Sequence, residues 1–279
     1  MEPVAGVRIQ CVEGVSIKEK PDLLAVEEPL EIRLGYGPVA ERQQRALSVT
    51  MRTPGHDFEL VLGFLFTEGI IHDRGDVSNI VYCQDAGRQQ QPNIVRVELQ
   101  PHTIPDWHKL QRHFYTSSSC GVCGKTSIEA VRQQCKLLPH SCTASSGLIG
   151  SLPERMCGYQ LVFAHTGGLH AAALFKTTGE LVCLREDVGR HNALDKVIGA
   201  MFTRQQLPLH GYILLVSGRA GFELVQKAAM AGVEIMVAVG APSALAVELA
   251  RQCNITLVGF ARENRFNIYS GSERISLTT

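Results

Sequence analysis

The chain has 279 residues, of which 45% are hydrophobic, and its 27 basic residues balance its 27 acidic ones. That length and apolar content allow a full hydrophobic core and two lobes. The zero net charge gives no overall field that would draw the protein to nucleic acid or to an anionic membrane, so any basic binding site must be local.

Three features of the sequence predict a cytoplasmic protein. The first residues show neither the basic nor the apolar segment of a secretory signal. The most apolar stretch, 228–250, is interrupted by Glu234, Pro242 and Glu248, which indicates soluble core and not a bilayer span. Nine cysteines, an odd number without a signal peptide, indicate reduced thiols and not a disulfide framework.

Residues 1–140 are predicted to form a small α+β lobe. We expect residues 1–25 to be irregular. Alternating apolar residues predict a hairpin of strands at 30–34 and 47–51, and a second strand pair at 80–83 and 93–99. Between the two pairs, a run that is apolar on nearly all sides predicts a buried helix over 58–69.

Residues 117–125, which read Ser-Ser-Ser-Cys-Gly-Val-Cys-Gly-Lys, are the most distinctive stretch. Directly after them, Thr126 and Glu129 form a capping box that predicts a helix running to about residue 138. Cys120 and Cys123 therefore precede a helix N-terminus, whose partial positive charge favours the thiolate together with Lys125. The pair predicts a reactive thiol on a mobile polar loop, with ordinary loop cysteines as the alternative.

The same cysteines could belong to a zinc site. Cys120, Cys123, Cys135 and Cys142 supply the four ligands such a site needs, but only one pair has the C-x-x-C spacing. Cys135 also falls on the apolar face of the predicted helix, where it is most simply a core residue. We therefore predict no metal site.

Residues 141–152, rich in Ser and Gly, are predicted to be a linker, and residues 153–279 a second domain of alternating α and β elements. Buried strands that are apolar on both faces indicate a parallel sheet covered by helices, hence an α/β layer fold. The expected helices lie at 153–164, 192–203 with Asn192 as N-cap, 222–231 and 243–253. The expected strands lie at 171–176, 180–184, 212–216, 234–239, 255–260 and 266–269.

In open parallel sheets, ligands bind beyond the carboxyl ends of the strands. Three loops follow such ends here: 217–221, 240–243 and 261–265. The first places Gly218 and Arg219 before a helix, which suits a phosphate, and the third adds Arg262 and Arg265, which can grip phosphate bidentately. Each loop alone could be a tight turn with solvated arginines. Their convergence predicts a phosphorylated or nucleotide-bearing ligand.

A second polar cluster, residues 185–196, packs seven ionisable side chains between a strand and a helix. Capping does not explain Asp187, Arg190 and His191, and a solvated charge run is an equal alternative. His165 and His170 lie nearby in sequence and receive no assigned role.

With the Cys120–Cys123 loop, the 185–196 run and the 217–221 turn in view, the chain resembles the FdhD family over most of its length. These proteins are sulfur carriers for the maturation of molybdenum-dependent formate dehydrogenase. The resemblance implies that a cysteine desulfurase hands sulfur to the loop, where Cys120 carries it as a persulfide and Cys123 helps. The sulfur then passes to the bis(molybdopterin guanine dinucleotide) cofactor before insertion into apo formate dehydrogenase, which makes the protein a sulfurtransferase-like carrier.

The resemblance also implies where that cofactor binds. The family's contacts fall on Phe260, Ala261, Arg262, Glu263, Asn264 and Arg265. We add Ser217, Gly218 and Arg219 from the turn that suits a phosphate, and we expect a guanine nucleotide such as GDP to mimic the cofactor. A homodimer is the family-like expectation.

The family's second half is similar to the cytidine deaminase fold, which raises the alternative of a zinc hydrolase. Deaminases need a Pro-Cys-x-x-Cys pair, and no proline precedes Cys120. A further alternative is a thiol–disulfide oxidoreductase, but Cys120 does not follow a recognisable strand of a βαβ unit.

Overall fold

Two β-sheets, one of four strands and one of six, organise the chain. The computed structural model describes residues 2–83, 91–107, 137–263 and 265–277. Within these ranges, no helix is both long enough and apolar enough to cross a membrane. The fold is mixed α/β, in agreement with the predicted class.

A long hairpin opens the chain, where we expected irregular structure. Strands β1 (Val4–Glu13) and β2 (Ser16–Ala25) pair antiparallel along their whole length, and Gly14 takes a positive φ of 63° in the turn between them. Most of their side chains are exposed on both faces, so the sequence shows no strong apolar alternation. The signal that sequence analysis missed is the two-residue loop that Gly14 begins.

The four-stranded sheet confirms both predicted strand pairs of the first lobe. It contains β3 (Glu28–Tyr36), β4 (Gln43–Arg52), β5 (Val77–Cys83) and β6 (Gln91–Leu99) in the order β4-β3-β6-β5. The two antiparallel pairs join through a parallel contact between β3 and β6. Helix α1 (Asp57–Thr67), the predicted buried helix, packs Leu60 and Leu65 into the same core.

The predicted linker, residues 141–152, contains regular structure. Strand β7 (Ala144–Ser145) is followed by helix α2 (Ser146–Cys157), and the Ser145 hydroxyl accepts a hydrogen bond of 3.1 Å from the Leu148 N–H. That cap accounts for Ser145. The helix predicted at 153–164 is replaced by α2, which continues through Pro153, and by α3 (Leu161–Thr166). The division into domains at 1–140 and 153–279 stays a prediction.

The six-stranded sheet has a parallel centre and antiparallel flanks. Strands β10 (Tyr212–Val216), β11 (Ile235–Ala238) and β12 (Thr256–Arg262) are parallel, as predicted. The outer strands β8 (His170–Lys176), β9 (Leu181–Asp187) and β13 (Arg265–Ser270) run antiparallel to their neighbours, in the order β13-β12-β11-β10-β8-β9. The short strand β14 (Ile275–Ser276) pairs with β7.

Helices cover both faces of this sheet. Helices α4 (Arg190–Thr203), α5 (Phe222–Met230) and α6 (Ala244–Gln252) share one apolar core with it, and α2 packs into the core on the other face. Helix α4 begins two residues earlier than predicted, with Gly189 and not Asn192 as its N-cap. The Asn192 amide is buried and donates instead to the Met51 carbonyl at 2.7 Å and to the Asp187 carboxylate at 3.0 Å.

The two sheets are joined where α1 crosses α4. The backbones approach so closely that a Cβ on Gly63 would overlap the Asp195 carbonyl, and one on Gly199 would overlap the Glu59 carbonyl. Glycine is required at both positions because no side chain fits between the helices. This contact sets the spacing between the first lobe and the helices that lead to the candidate site.

Candidate functional site at the carboxyl edge of the six-stranded sheet

The structure brings two of the predicted loops, 217–221 and 240–243, to one edge together with Phe260, the first of the residues that the family resemblance implies. The Gly240 N–H donates to the Gly218 carbonyl at 3.0 Å, and the Phe260 N–H donates to the Gly240 carbonyl at 3.1 Å. These bonds fix the ends of β10, β11 and β12 against each other. Ser217 Oγ also accepts from the Ala171 N–H at 2.8 Å, so the edge is a pre-formed surface.

Gly240 allows this close packing, and Gly218 faces two further side chains. A Cβ on Gly240 would lie 3.0 Å from the Arg219 backbone, and one on Gly218 would lie 3.4 Å from His170 Nδ1 and 3.8 Å from Arg190 Cδ. The glycine of the predicted phosphate turn therefore faces His170 and Arg190, two residues to which the sequence assigned no role. They are the functional candidates that sequence reasoning left open.

The first turns of α4 and α5 meet at the same edge. His191 Nε2 lies 3.1 Å from a carboxylate oxygen of Glu223, which places the two helix starts side by side. Neither N-cap, Gly189 or Gly221, has a side chain to satisfy the first N–H groups. Arg190 Nε is buried, and no described residue accepts its hydrogen bond. Two helix N-termini and Arg190 favour an anion at this edge, and the Glu223 carboxylate acts in the opposite direction.

Both histidines at the edge are held neutral at pH 7. Burial lowers the pKa of His170, and the charge of Arg190 adds to the effect. Burial also lowers the pKa of His191, to about 4, although Glu223 acts in the opposite direction. The positive charge of the edge therefore comes from its arginines and helix termini. His165 lies away from this edge. It is exposed and lines a cleft beside the β1–β2 hairpin.

The structure separates the residues 260–265, which the family resemblance implies as cofactor contacts. Phe260 is 41% exposed at the end of β12 with a positive φ of 53°, a conformation rare for an aromatic residue. Ala261 is wholly buried in the core, so its side chain faces away from any ligand. Arg262, Glu263 and Arg265 are exposed at the turn between β12 and β13. Asn264 lies outside the described residues.

The polar run 185–196 is a structural network and not a solvated charge run. Asp187 is wholly buried, and its carboxylate lies 2.7 Å from Lys196 Nζ. It also accepts hydrogen bonds from the Gly189 and Thr53 N–H groups, at 2.9 and 3.2 Å. Thr53 directly follows β4 of the four-stranded sheet and Asp187 ends β9 of the six-stranded sheet, so Asp187 ties the two sheets together. The sequence could not show the contact with Thr53, since Thr53 and Asp187 are 134 residues apart.

A second interlobe pair joins Glu59 on α1 to Arg185 on β9, with hydrogen bonds of 2.6 and 2.8 Å. Burial alone would raise the pKa of Glu59, but hydrogen bonds and positive charge from Arg185 and His56 outweigh it and lower the pKa from 4.5 to about 2. Because the folded pKa is the lower one, the stabilisation is complete above the unfolded pKa and is lost as the pH falls towards 2.

We therefore expect the unfolding free energy to drop between pH 4.5 and 2, by about 1–2 kcal/mol more in the wild type than in Glu59→Gln. Urea unfolding at several pH values measures the difference. Glu154→Gln, on the exposed side of α2, is the control and should keep the wild-type slope. Equal slopes for the wild type and Glu59→Gln would contradict the role given to the pair.

Cys120 and Cys123 lie outside the described residues, but both flanks of their segment are anchored. On one side, Trp107 packs against the Tyr36 ring at 5.0 Å. On the other side, the Leu138 N–H donates to the Cys253 carbonyl at 3.1 Å, and Arg274 donates to the Pro139 carbonyl at 2.8 Å. The chain thus leaves the four-stranded sheet at Trp107 and is held against the six-stranded sheet from Leu138 onwards.

Comparison with known proteins gives consistent matches over nearly the whole chain. The sequence profile described as the FdhD/NarQ family matches residues 25–276. The sulfur carrier protein FdhD of Mycolicibacterium paratuberculosis is 50% identical over 260 residues, 92% of this chain and 93% of that protein. The protein of the same name from Streptomyces coelicolor is 49% identical over 269 residues, 94% of this chain and 92% of that protein.

The fold also matches a solved structure. A candidate formate dehydrogenase accessory protein from Desulfotalea psychrophila superposes with a TM-score of 0.73, covering 99% of this chain and all of that one. At 22% identity, this similarity concerns the fold alone.

Proposed function

The chain belongs to the FdhD/NarQ family, and on that premise we propose that it is a sulfur carrier for the maturation of formate dehydrogenase. The observation that carries the proposal is the family match over residues 25–276, which contains the C-x-x-C pair of Cys120 and Cys123. Relatives that share about half of its residues over nine-tenths of its length carry the name of sulfur carrier.

The first step is a transfer between thiols. A cysteine desulfurase presents a persulfide, and the Cys120 thiolate attacks its outer sulfur. The S–S bond of the donor breaks, its electron pair leaves on the donor thiolate, and Cys120 becomes the persulfide. The predicted helix N-terminus and Lys125 support this step because they favour the attacking thiolate. Cys123 is the helper, two residues away.

The substrate that accepts the sulfur is the bis(molybdopterin guanine dinucleotide) cofactor, which we propose binds at the carboxyl edge of the six-stranded sheet. Arg190 Nε, which has no partner among the described residues, and the two helix N-termini support binding of its phosphates at this edge. Ser217, Arg219 and Phe260 border the same edge. Arg262, Glu263, Asn264 and Arg265 follow Phe260 in sequence and extend the proposed contact. Ala261 contributes through its backbone.

We also propose the remaining family traits: a cytoplasmic location, a homodimer, delivery to apo formate dehydrogenase, and a cytidine-deaminase-like layer built on the six-stranded sheet. The parallel centre covered by helices supports the last of these. Sedimentation at working concentration tests the homodimer, and a monomer would overturn it.

The deciding experiment for sulfur carriage is mass spectrometry after incubation with a cysteine desulfurase and free cysteine. We expect one added sulfur atom on the Cys120 peptide, none there in Cys120→Ala, and retained loading in Cys123→Ala. Cys157→Ala is the matched control, because Cys157 is an exposed thiol on α2 outside the motif. Absence of added sulfur from every variant, or loading that follows Cys157, would overturn the proposal.

A further inference from the structure

Asn192 is a buried residue whose side-chain partners all lie outside its own helix. It stands in the first turn of α4 and is 9% exposed. Its Nδ2 donates to the Met51 carbonyl at 2.7 Å and to the Asp187 carboxylate at 3.0 Å, and its Oδ1 accepts from the Thr50 hydroxyl at 3.3 Å. Both amide hydrogens and the amide oxygen are therefore used, and two of the three bonds reach the end of β4.

This bonding differs from the usual role of asparagine at a helix start. An asparagine side chain commonly caps its own helix, and inside a helix it is a weaker helix former than alanine. Here Gly189 is the N-cap, and Asn192 binds a strand of the four-stranded sheet instead. A Cβ on Gly189 would lie 3.1 Å from Asn192 Nδ2, so the glycine leaves room for this contact. The amide therefore fixes where α4 begins relative to β4.

The turn that Asn192 anchors carries two side chains of the sheet edge. Arg190 and His191 directly precede Asn192. A Cβ on Gly218 would lie 3.8 Å from Arg190 Cδ, and His191 Nε2 lies 3.1 Å from the Glu223 carboxylate. The N-cap of α4 makes no side-chain hydrogen bond, so the bonds of Asn192 contribute directly to the position of this turn.

We propose that Asn192 is a positioning residue, which holds the first turn of α4 against β4 and thereby directs Arg190 to an anion at the sheet edge. An arginine binds phosphate oxygens through a planar fork of donors, so the contact depends on where its backbone lies. A displacement of roughly 1 Å is enough to weaken such a contact strongly. The inference deepens the proposed function and rests on it, because it assigns the edge of the four-stranded sheet a part in the proposed ligand site.

The test is isothermal titration of the full chain with GDP, which carries a pyrophosphate. We expect Asn192→Ala and Arg190→Met each to weaken GDP binding at least about fivefold. Because Asn192 acts through Arg190, the double variant should bind GDP no more weakly than Arg190→Met alone. Thr50→Val, which removes one hydrogen bond and keeps the side-chain shape, should weaken binding in the same direction by less. Thermal unfolding checks that each variant folds, and Thr50→Val carries the test if Asn192→Ala does not fold.

Thr67→Val is the matched control. Thr67 on α1 is buried, and its hydroxyl lies 3.1 Å from an Asp195 carboxylate oxygen. This variant also removes a polar contact to α4, but one that lies beyond the first turn. It should keep the GDP affinity of the wild type even where its unfolding temperature falls, which separates positioning from a general loss of stability.

Proton NMR of the histidine rings gives a signature that does not depend on GDP. Burial is the main cause that lowers the pKa of His191, to about 4. The other groups that act on this pKa are Glu223, Arg190, Lys227 and His170. If Asn192→Ala releases the first turn, His191 becomes more exposed, and its pKa should rise towards the ordinary value of 6.5. His191→Gln assigns the signal.

Three results would overturn the positioning role. They are an unchanged GDP affinity in Asn192→Ala, a double variant in which the two losses of affinity multiply, and a His191 pKa that stays near 4 in Asn192→Ala. With each of them, GDP binding by the wild type leaves the proposed ligand edge in place. A wild type that binds no GDP would remove the edge and this inference together. Sulfur loading of Cys120 is measured without GDP, so it tests the carrier role separately.

Discussion

Gly199→Ala is expected to destabilise the protein by at least about 3 kcal/mol, and Gly63→Ala by a similar amount. A Cβ on Gly199 would overlap the Glu59 carbonyl and lie 2.8 Å from the Gly63 nitrogen. Both obstacles are backbone atoms of a packed helix, so no side chain can rotate away. Helices α1 and α4 must separate, which opens the core between the two sheets.

Urea unfolding followed by circular dichroism measures this effect. Gly158→Ala is the matched control, because Gly158 has a helical φ of −62° and its nearest obstacle to a Cβ is an ordinary 3.5 Å contact. A shift of the urea midpoint no larger for Gly199→Ala than for Gly158→Ala would contradict the close helix crossing.

Lys196→Met is expected to cost about 3–5 kcal/mol, because it leaves the buried carboxylate of Asp187 without its counter-ion. Lys196 is 1% exposed, and its Nζ also donates to the Thr53 carbonyl at 2.9 Å. Asp187→Asn should destabilise for the converse reason. In the double variant no unpaired charge remains. Its loss of unfolding free energy should therefore be well below the sum of the losses in the two single variants.

A double-mutant cycle on the unfolding free energy tests this pair. Lys176→Met is the control, since Lys176 pairs with Glu180 at 2.8 Å on the surface, where both side chains are largely exposed; it should unfold close to the wild type. Additive effects of Lys196→Met and Asp187→Asn would contradict the coupling that the buried geometry predicts.

Local patterns predicted most of the regular elements. The apolar run 212–216 is β10, the helical pattern at 58–69 is α1, and the helix predicted at 243–253 is α6. Prediction failed where the sequence pattern was weak, or where one pattern is typical of two different structures. The exposed β1–β2 hairpin buries too little to show periodicity, and the serines of 141–152 indicate a linker as readily as the cap that Ser145 provides.

The candidate site was predicted in part. The rule that ligands bind at the carboxyl ends of parallel strands selected the loops 217–221 and 240–243, and the structure joins them at one edge through Gly218 and Gly240. It could not predict that Gln160 lines a cleft beside this edge, nor the burial of Ala261. Those properties depend on which distant segments pack around each residue.

By itself, the sequence determined the mixed α/β class, the family, and the C-x-x-C pair proposed to carry sulfur, because strand and helix patterns and short motifs are local. Tertiary structure decided that the 185–196 charges tie the two sheets together, that two helix starts converge beside Arg190, and that a cleft lined by Gln160 adjoins them. The physical reason is that burial, pKa and hydrogen-bond satisfaction are set by neighbours in space, and these neighbours are far apart along the chain.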